Sequence, residues 1–449
     1  MFKKIGNWII NKIQKSFVEN FELLKSKVKY LQYIFIYRMC LDFIYIFFVS
    51  RVFNVTGFDF NFNIFHYSLS WLLLIVFLPL ILKICYKNNL SNIVFNILIF
   101  LSFMPLITMI GYYEFPISFI VQIIIYWYLL LKLFVWIPDF KIKRLSNVHI
   151  DRVLLYSIVV ILSAVVIFIS WYYTGFRLTF DLFDVYNIRA EATEYSIPTI
   201  LDYLFSATKI INPILLIYFL SKKKYFITFS IFLIQMLSFS INGIKMVLVG
   251  TILAIIIYYF YKDSYLEQLP LYLSGLGIVG VVEFLMTNNF SILTLIFRRV
   301  LFLPNLINSF YFDFFKSNRP DYFFQGPLRY LGFESIYPKV SNMIGSIYFV
   351  KPDMSATNGL FSDAYTNLGL WGIFIMPLLI VVLLKFIDAC SRGLDKKIFL
   401  PIAVTLSFIL MSSFFITILF THGILLACLV LYLLPRDNET TVPSKLRVK

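Results

Sequence analysis

Long apolar runs separated by short polar stretches make up most of this chain. A membrane span needs about 20 consecutive apolar residues, and dividing the chain on that basis predicts about twelve spans. They lie at about 31–49, 68–86, 91–111, 117–137, 153–174, 199–220, 225–241, 245–261, 269–287, 360–385, 398–418 and 420–434. The last two are short and meet near His422–Gly423, so eleven to thirteen spans fit the pattern. The pattern predicts an all-α polytopic membrane protein.

Composition removes the main alternative, a soluble globular protein. Hydrophobic residues make up 60% of the 449 residues, and the mean hydropathy is +0.84. Soluble domains are nearer about 45–50% apolar. The spans therefore leave no room for a soluble domain of ordinary size.

The first 30 residues differ from the spans because their apolar positions recur at helical spacing among lysines. This pattern predicts an amphipathic helix, residues 1–30, lying on the cytoplasmic face of the membrane. The apolar positions are Ile5, Ile9, Ile13, Phe17, Phe21, Leu24 and Val28.

Charge sets the predicted orientation. The net charge is +15, and the basic residues concentrate in alternate connections, which indicates topology and anionic lipid headgroups rather than nucleic acid. These connections and the tail 435–449 fall on the same side as the N-terminus, so both termini are predicted to be cytoplasmic. The connections contain Lys87, Lys141, Lys143, Arg144, Arg152, Lys222, Lys223, Lys224, Lys262, Arg392, Lys396 and Lys397.

Two sizeable loops are then predicted on the opposite, periplasmic side. Loop 175–198 interrupts spans one to nine (31–286), and loop 287–360 separates them from spans ten to twelve (361–434). The second loop carries seven Lys/Arg against four acids and is rich in Phe and Tyr. Disordered segments are poor in aromatics, so we expect short helices at the outer leaflet. Basic residues on this side suit an anionic ligand.

Four cationic residues are candidates for holding a phosphate. Arginine binds phosphate through a rigid fork, which favours Arg298 and Arg299, although both could instead anchor a helix to lipid headgroups. Lys245, after Gly243 near the outer end of a span, faces either a polar cavity or the interface. Arg189 lies in loop 175–198, where pairing with the loop's own acids is the alternative.

The remaining candidates suit sugars and proton transfer. Tyr186, Asn187 and Asn358 carry groups that bind sugar hydroxyls. Asp363, an acid at the mouth of span ten, could act as a general base, orient an arginine or cap its helix.

Two other charged sites are interpreted more simply. Glu283, in the outer half of span nine, resembles Asp363 in position. Arg38 and Asp42 are interpreted as a structural i,i+4 ion pair.

Several kinds of chemistry have no support in the sequence. It contains no Gly-rich nucleotide loop, no paired metal-binding acids and no nucleophile elbow. The four cysteines and three histidines are scattered. We therefore expect neither a cofactor nor a metal ion.

Five segments in order along the chain resemble the Wzy-type oligosaccharide repeat-unit polymerases, the O-antigen and capsule polymerases of bacteria. They are VYNIRAE, KIINP with YFLSKKK, INGIK, RRVLFLPNLINSFYFDFF and NGLFSDAYTNLGLWG. The resemblance covers most of the chain and implies a GT-C-like glycosyltransferase of the bacterial inner membrane that needs no metal ion. Such enzymes transfer a growing glycan from undecaprenyl diphosphate to the next lipid-linked repeat unit at the periplasmic face.

The resemblance also assigns roles to particular residues. It implies that Arg189, Lys245, Arg298 and Arg299 hold the diphosphates, the two neighbouring arginines at the catalytic centre. It supplies no catalytic base, so Asp363 rests on its position alone. The implied partners are undecaprenyl-diphosphate-linked oligosaccharide and membrane lipids, together with a chain-length regulator and a flippase.

Two alternatives stay open at this stage. A lipid-linked oligosaccharide flippase has a similar span number, but it lacks a long outer loop and is usually built from paired halves, and this chain shows no internal repeat. An O-antigen ligase has related architecture, but we expect a histidine in its large outer loop. Residues 287–360 contain none.

Overall fold

The structure, a computed structural model, describes residues 27–54, 57–85, 87, 89–144, 148–179, 185–350 and 354–436. The predicted N-terminal helix 1–30 lies almost wholly outside the described residues, as does most of the tail 435–449. Throughout the described part, every regular element is a helix. The helices are Lys27–Val52, Ile64–Cys85, Leu90–Tyr112, Ile117–Trp136, Val148–Thr174, Val185–Thr193, Thr199–Ser221, Tyr225–Asn242, Lys245–Phe260, Ser264–Glu267, Leu269–Thr287, Leu293–Phe302, Leu303–Phe315, Pro327–Leu331, Val340–Phe349, Phe361–Leu368, Gly369–Trp371, Gly372–Ser391, Lys396–Ser412, Phe415–Leu419 and Ile424–Leu433.

Ten helical segments of the described chain are long and apolar enough to cross a membrane. Large apolar side chains such as Ile75, Val160 and Ile278 are exposed on them, as lipid-facing positions require. Helices satisfy their own backbone hydrogen bonds, which hydrocarbon demands. The prediction of an all-helical, multi-pass membrane protein is confirmed.

Two of the twelve predicted spans are not among these ten, because their helices are shorter than a full span. The span predicted at 245–261 is the 16-residue helix Lys245–Phe260, and that at 398–418 is the 17-residue helix Lys396–Ser412. The predicted end at 418 is wrong, because the backbone of Ser413 and Phe414 is extended. A short helix follows before the turn at His422–Gly423, where Gly423 adopts a positive φ of 70°.

The chain forms two compact units, and the division falls within two of the helices. The first unit contains the described parts of 1–86, 99–116 and 263–306. Inside it, Arg38 is fully buried and lies 2.8 Å from Asp42, which confirms the predicted ion pair. Arg38 also donates hydrogen bonds to Ser70 Oγ at 2.8 Å and to Thr108 Oγ1.

The second unit contains the described parts of 87–98, 117–262 and 307–449. A buried polar chain joins three of its helices. Asn212 Nδ2 donates to Gln235 Oε1, and Gln235 Nε2 donates to Thr251 Oγ1, each at 3.2 Å. Polar groups buried in this way form hydrogen bonds because an unpaired one is costly away from water.

The described residues of segment 287–360 contain several helices, but the expectation of only short helices is wrong for the first part of the segment. The π-helical turns Leu293–Phe302 continue directly into the α-helix Leu303–Phe315. Glu283 accepts a hydrogen bond from the main-chain N–H of Ile292 at 2.9 Å. It thus satisfies a donor that the start of a helix leaves unpaired.

Candidate functional site

The second half of the long connecting segment folds against the helix Phe361–Leu368. The main-chain N–H of Asp321 donates to Thr366 O at 2.8 Å, and that of Tyr322 donates to Asn367 O at 3.1 Å. Tyr322 and Phe323 both have positive φ, 53° and 64°, which costs roughly 1–2 kcal/mol per residue. The Asn367 side chain stabilises this backbone by accepting from Phe323 N at 2.9 Å.

Gln325 fixes the next part of the segment. Its Nε2 lies 3.2 Å from Tyr337 O and 2.5 Å from Pro338 O, while its Oε1 accepts from Val340 N at 3.1 Å. One side chain thus supplies hydrogen bonds to a turn that has no regular secondary structure of its own.

Gly359 contacts the end of the helix Lys396–Ser412 and the extended Ser413 that follows it. The main-chain N–H of Gly359 donates to Met411 O at 3.0 Å, so it satisfies a carbonyl at the helix end. A Cβ at Gly359 would lie 2.1 Å from Leu410 O and 2.7 Å from Ser413 O. Only glycine permits this approach.

The segments held by these contacts border an open cavity of about 780 Å³ within the second unit. Six aromatic residues line it: Tyr311, Phe323, Phe324, Phe333, Tyr337 and Phe414. Besides the two tyrosines, nine lining residues carry amides or hydroxyls, namely Gln325, Ser335, Ser341, Thr357, Asn358, Asn367, Ser412, Ser413 and Thr417. Flat apolar faces beside many donors and acceptors suit a ligand that is polar and ring-shaped.

Four charged residues also line the cavity: Asp321, Arg329, Glu334 and Lys339. Asp321 is buried, and its carboxylate accepts from Ser335 Oγ and from Gln325 N. Burial, and after it the nearby Asp321, raises the pKa of Tyr337, whose hydroxyl donates to Arg319 O at 2.6 Å.

The structure places Asn358, a predicted sugar-binding residue, in the cavity wall. Asn358 is buried, and its Nδ2 donates to Asn308 Oδ1 and Ser362 Oγ, each at 2.9 Å. Its ligand role stays a prediction.

Asp363, the predicted base, lies behind the cavity wall rather than among the lining residues. It is buried, its Oδ2 accepts from Phe415 N at 2.6 Å, and its Oδ1 accepts from Asn367 Nδ2 at 2.7 Å. Asp363 therefore connects Phe415, which follows the break after Ser412, with Asn367, whose side chain binds the backbone of Phe323. A catalytic role for Asp363 stays a prediction, whereas this positioning role is observed.

Arg189 and Lys245 meet the same turn. Arg189 Nε donates to Gly243 O at 3.2 Å, and Lys245, exposed, begins the helix two residues later. Gly243 has φ 61°, and a Cβ there would lie 3.1 Å from Val185 O, so the helix Val185–Thr193 packs closely on this turn. Two of the four predicted phosphate-binding cations, Arg189 and Lys245, thus lie at the turn that contains Gly243.

The two predicted sugar-binding residues of loop 175–198 lie on the helix Val185–Thr193. Asn187 is exposed on the helix Val185–Thr193, whereas the side chain of Tyr186 lies outside the described structure. In the loop 175–198, Arg177 pairs with Glu191 at 2.8 Å, as the alternative interpretation of that loop expected.

Arg298 and Arg299 belong to the first unit and lie on the π-helical turns Leu293–Phe302. The Arg298 guanidinium is half-buried and lies 4.6 Å from the centroid of the Phe53 ring, whereas Arg299 is exposed. Burial and the neighbouring Arg299 lower the pKa of Arg298. The two side chains thus have different surroundings, as adjacent helical positions require.

Sequence reasoning missed most of the cavity lining. Asp321, Gln325 and Ser335 are single polar residues without a motif, and their contacts are long-range. Asn367 lies within the segment NGLFSDAYTNLGLWG, but the pattern does not show that its side chain supports Phe323. The Gly326–Pro327 pair was the available signal, because such pairs mark turns.

In the described residues, no group of three or more His, Cys, Asp or Glu side chains could hold a metal ion. Comparison with known proteins finds no matching family model, no matching curated protein and no matching solved structure.

Proposed function

We propose that the protein is a glycosyltransferase that polymerises undecaprenyl-diphosphate-linked oligosaccharide repeat units into a surface polysaccharide. The observation that carries the proposal is the cavity, which combines six aromatic faces with amide, hydroxyl and charged groups in a multi-pass membrane protein. Stacking faces suit sugar rings, and the donors and acceptors suit their hydroxyls. The resemblance of the five sequence segments supplies the reaction class.

The proposed reaction needs no nucleotide sugar, because the diphosphate is already an activated leaving group. Arg189, Lys245, Arg298 and Arg299 are the proposed diphosphate ligands. Cationic groups near a departing diphosphate stabilise the charge that develops in the transition state. No step requires a metal ion.

The proposed setting is the bacterial inner membrane, with both termini in the cytoplasm and the cavity open to the periplasm. The basic connections support this orientation. The proposed GT-C-like architecture is consistent with an all-helical membrane protein. A chain-length regulator and a flippase are the proposed partners, besides the lipid-linked substrate and membrane lipids.

Deleting the gene in its native strain tests the proposal. We expect the surface glycan to appear on a gel as a single repeat unit where the parent strain shows a ladder. Re-expression of the wild-type chain should restore the ladder. Loss of every repeat would instead indicate a flippase or a ligase and would contradict the proposal.

A further inference from the structure

The two carboxylates that line the cavity have opposite surroundings. Both oxygens of Asp321 are occupied, one by Ser335 Oγ and the other by Gln325 N, and the residue is buried. Glu334 is exposed and makes no hydrogen bond or ion pair with any residue that the structure describes. Of the two lining carboxylates, Glu334 is therefore the one that is exposed and without a competing donor among the described residues.

Asp363 is less suited to the same task. Its two oxygens accept from Phe415 N and Asn367 Nδ2, and it is 1% exposed. A base must come within about 2.6–3.2 Å of the proton-bearing oxygen of its substrate. A side chain behind the cavity wall does not meet that requirement, whereas one that lines the cavity does.

The backbone of Glu334 is fixed on both sides although its side chain is exposed. Phe333 stacks on Phe324 with ring centroids 5.3 Å apart and planes 14° apart. Ser335 donates to Asp321 and accepts from Tyr337 N at 3.1 Å. A reactive group supported in this way keeps its place without losing accessibility, as preorganised sites require.

The cavity also carries charge of the opposite sign. Arg329 and Lys339 line it on the same stretch of chain as Glu334. Lys339 is exposed, and its ammonium group has no partner among the described residues. A base beside cationic groups fits a reaction in which one oxygen loses a proton while a neighbouring anion leaves.

We propose that Glu334 is the general base that takes the proton from the acceptor sugar hydroxyl, an inference that rests on the proposed polymerase function. The acceptor oxygen gives its proton to the Glu334 carboxylate and forms a bond to the anomeric carbon of the donor glycan. The bond between that carbon and the diphosphate oxygen breaks, and its electron pair leaves with undecaprenyl diphosphate. Glu334 then passes the proton to the diphosphate or to water.

The test uses the full-length protein in detergent with purified undecaprenyl-diphosphate-linked single repeat units. Glu334→Gln keeps the size of the side chain and removes the base, so kcat should fall about 10²–10⁴-fold, the usual contribution of a positioned base. Binding of the lipid-linked repeat unit and the melting temperature should stay at wild-type values. Glu334→Asp should retain more activity than Glu334→Gln, because it keeps a carboxylate.

Glu194→Gln is the matched control, since Glu194 is another exposed glutamate of the second unit and does not line the cavity. We expect wild-type activity from it. A wild-type protein that forms no ladder overturns both the polymerase function and this inference. A wild-type ladder together with wild-type kcat in Glu334→Gln overturns this inference alone, as does a loss confined to substrate binding.

Discussion

The buried charges of the first unit and the carboxylates of the second unit's cavity illustrate two uses of polar groups in an apolar protein. Arg38 is fully buried against Asp42, Ser70 and Thr108, and its guanidinium lies 5.2 Å from the centroid of the Trp71 ring. Glu334 is exposed and has no partner in the described chain. A group enclosed by its partners stabilises the fold, whereas a fixed but unpartnered group is available for chemistry.

Asp363 lies between these two cases. It belongs to the second unit and is near the cavity, yet its environment resembles that of Asp42 more than that of Glu334, because it is buried and engaged. The two acids near the cavity thus differ in burial and in the donors that reach their oxygens, and this difference is the basis for proposing Glu334 rather than Asp363 as the base.

The largest expected effect is that of Arg38→Ala on stability. Removing one partner of a buried ion pair leaves an uncompensated charge, so the free energy of unfolding should fall by about 3–5 kcal/mol. Unfolding in mixed micelles measures it. The double variant Arg38→Met/Asp42→Leu should lose less stability, because neither charge remains buried. An equal or greater loss would show that the cost of Arg38→Ala does not come from an unpaired Asp42.

Asp363→Ala should come next, because it leaves the buried Phe415 N–H without an acceptor and leaves Asn367 Nδ2 with only the main-chain carbonyl of residue 363. An unsatisfied buried donor costs about 1–3 kcal/mol. Activity and melting temperature should fall together in this variant, whereas Glu334→Gln should lose activity alone. An inactive Asp363→Asn variant with wild-type melting temperature would restore Asp363 as a base.

Gly359→Ala tests the contact that holds the helix break. Its Cβ would lie 2.1 Å from Leu410 O, and overpacking of this kind typically costs about 1–3 kcal/mol. Thermal unfolding measures the loss. Gly250→Ala is the control, because a Cβ there meets nothing within 4 Å and alanine stabilises a helix interior by roughly 0.5–1 kcal/mol. Equal melting temperatures for the two variants would contradict the close approach.

The smallest effect on stability should be that of Lys245→Gln. Lys245 is exposed, and surface changes usually stay within about 0.5 kcal/mol. If the proposed diphosphate role holds, binding of the lipid-linked repeat unit should nevertheless weaken. The control is Lys223→Gln, an exposed lysine beyond the end of the helix Thr199–Ser221. Identical binding by both variants would remove Lys245 from the site.

Ten of the twelve spans were predictable because each one is encoded locally. Hydrophobic runs of sufficient length must become helices in a membrane, since no other open structure satisfies their backbone groups. The Arg38–Asp42 pair was predictable for the same reason, because its four-residue spacing already places both side chains on one helix face. The end of the helix at Ser412 was not, since contacts with Gly359 and Asp363 stabilise the break from about 50 residues away.

Of the predicted site residues, Asn358 lines the cavity, whereas Arg189 and Lys245 lie at one turn and are not among the lining residues. Their binding roles stay predictions. The sequence singled out Asp363 for its position at the mouth of span ten, whereas nothing in the sequence distinguishes Glu334 from the other acids of loop 287–360. What distinguishes Asp363 from Glu334 is which donors reach their oxygens, and those donors come from other segments.

The sequence by itself determined that this chain is an all-helical membrane protein with an ordered, aromatic and basic segment between its apolar runs. Those properties follow from the length, hydropathy and periodicity of contiguous residues. Only the tertiary structure decided which polar residues surround the cavity and which carboxylate remains accessible. Those properties depend on hydrogen bonds between segments distant in sequence, such as Asp363 with Phe415 and Gln325 with the residues around Pro338.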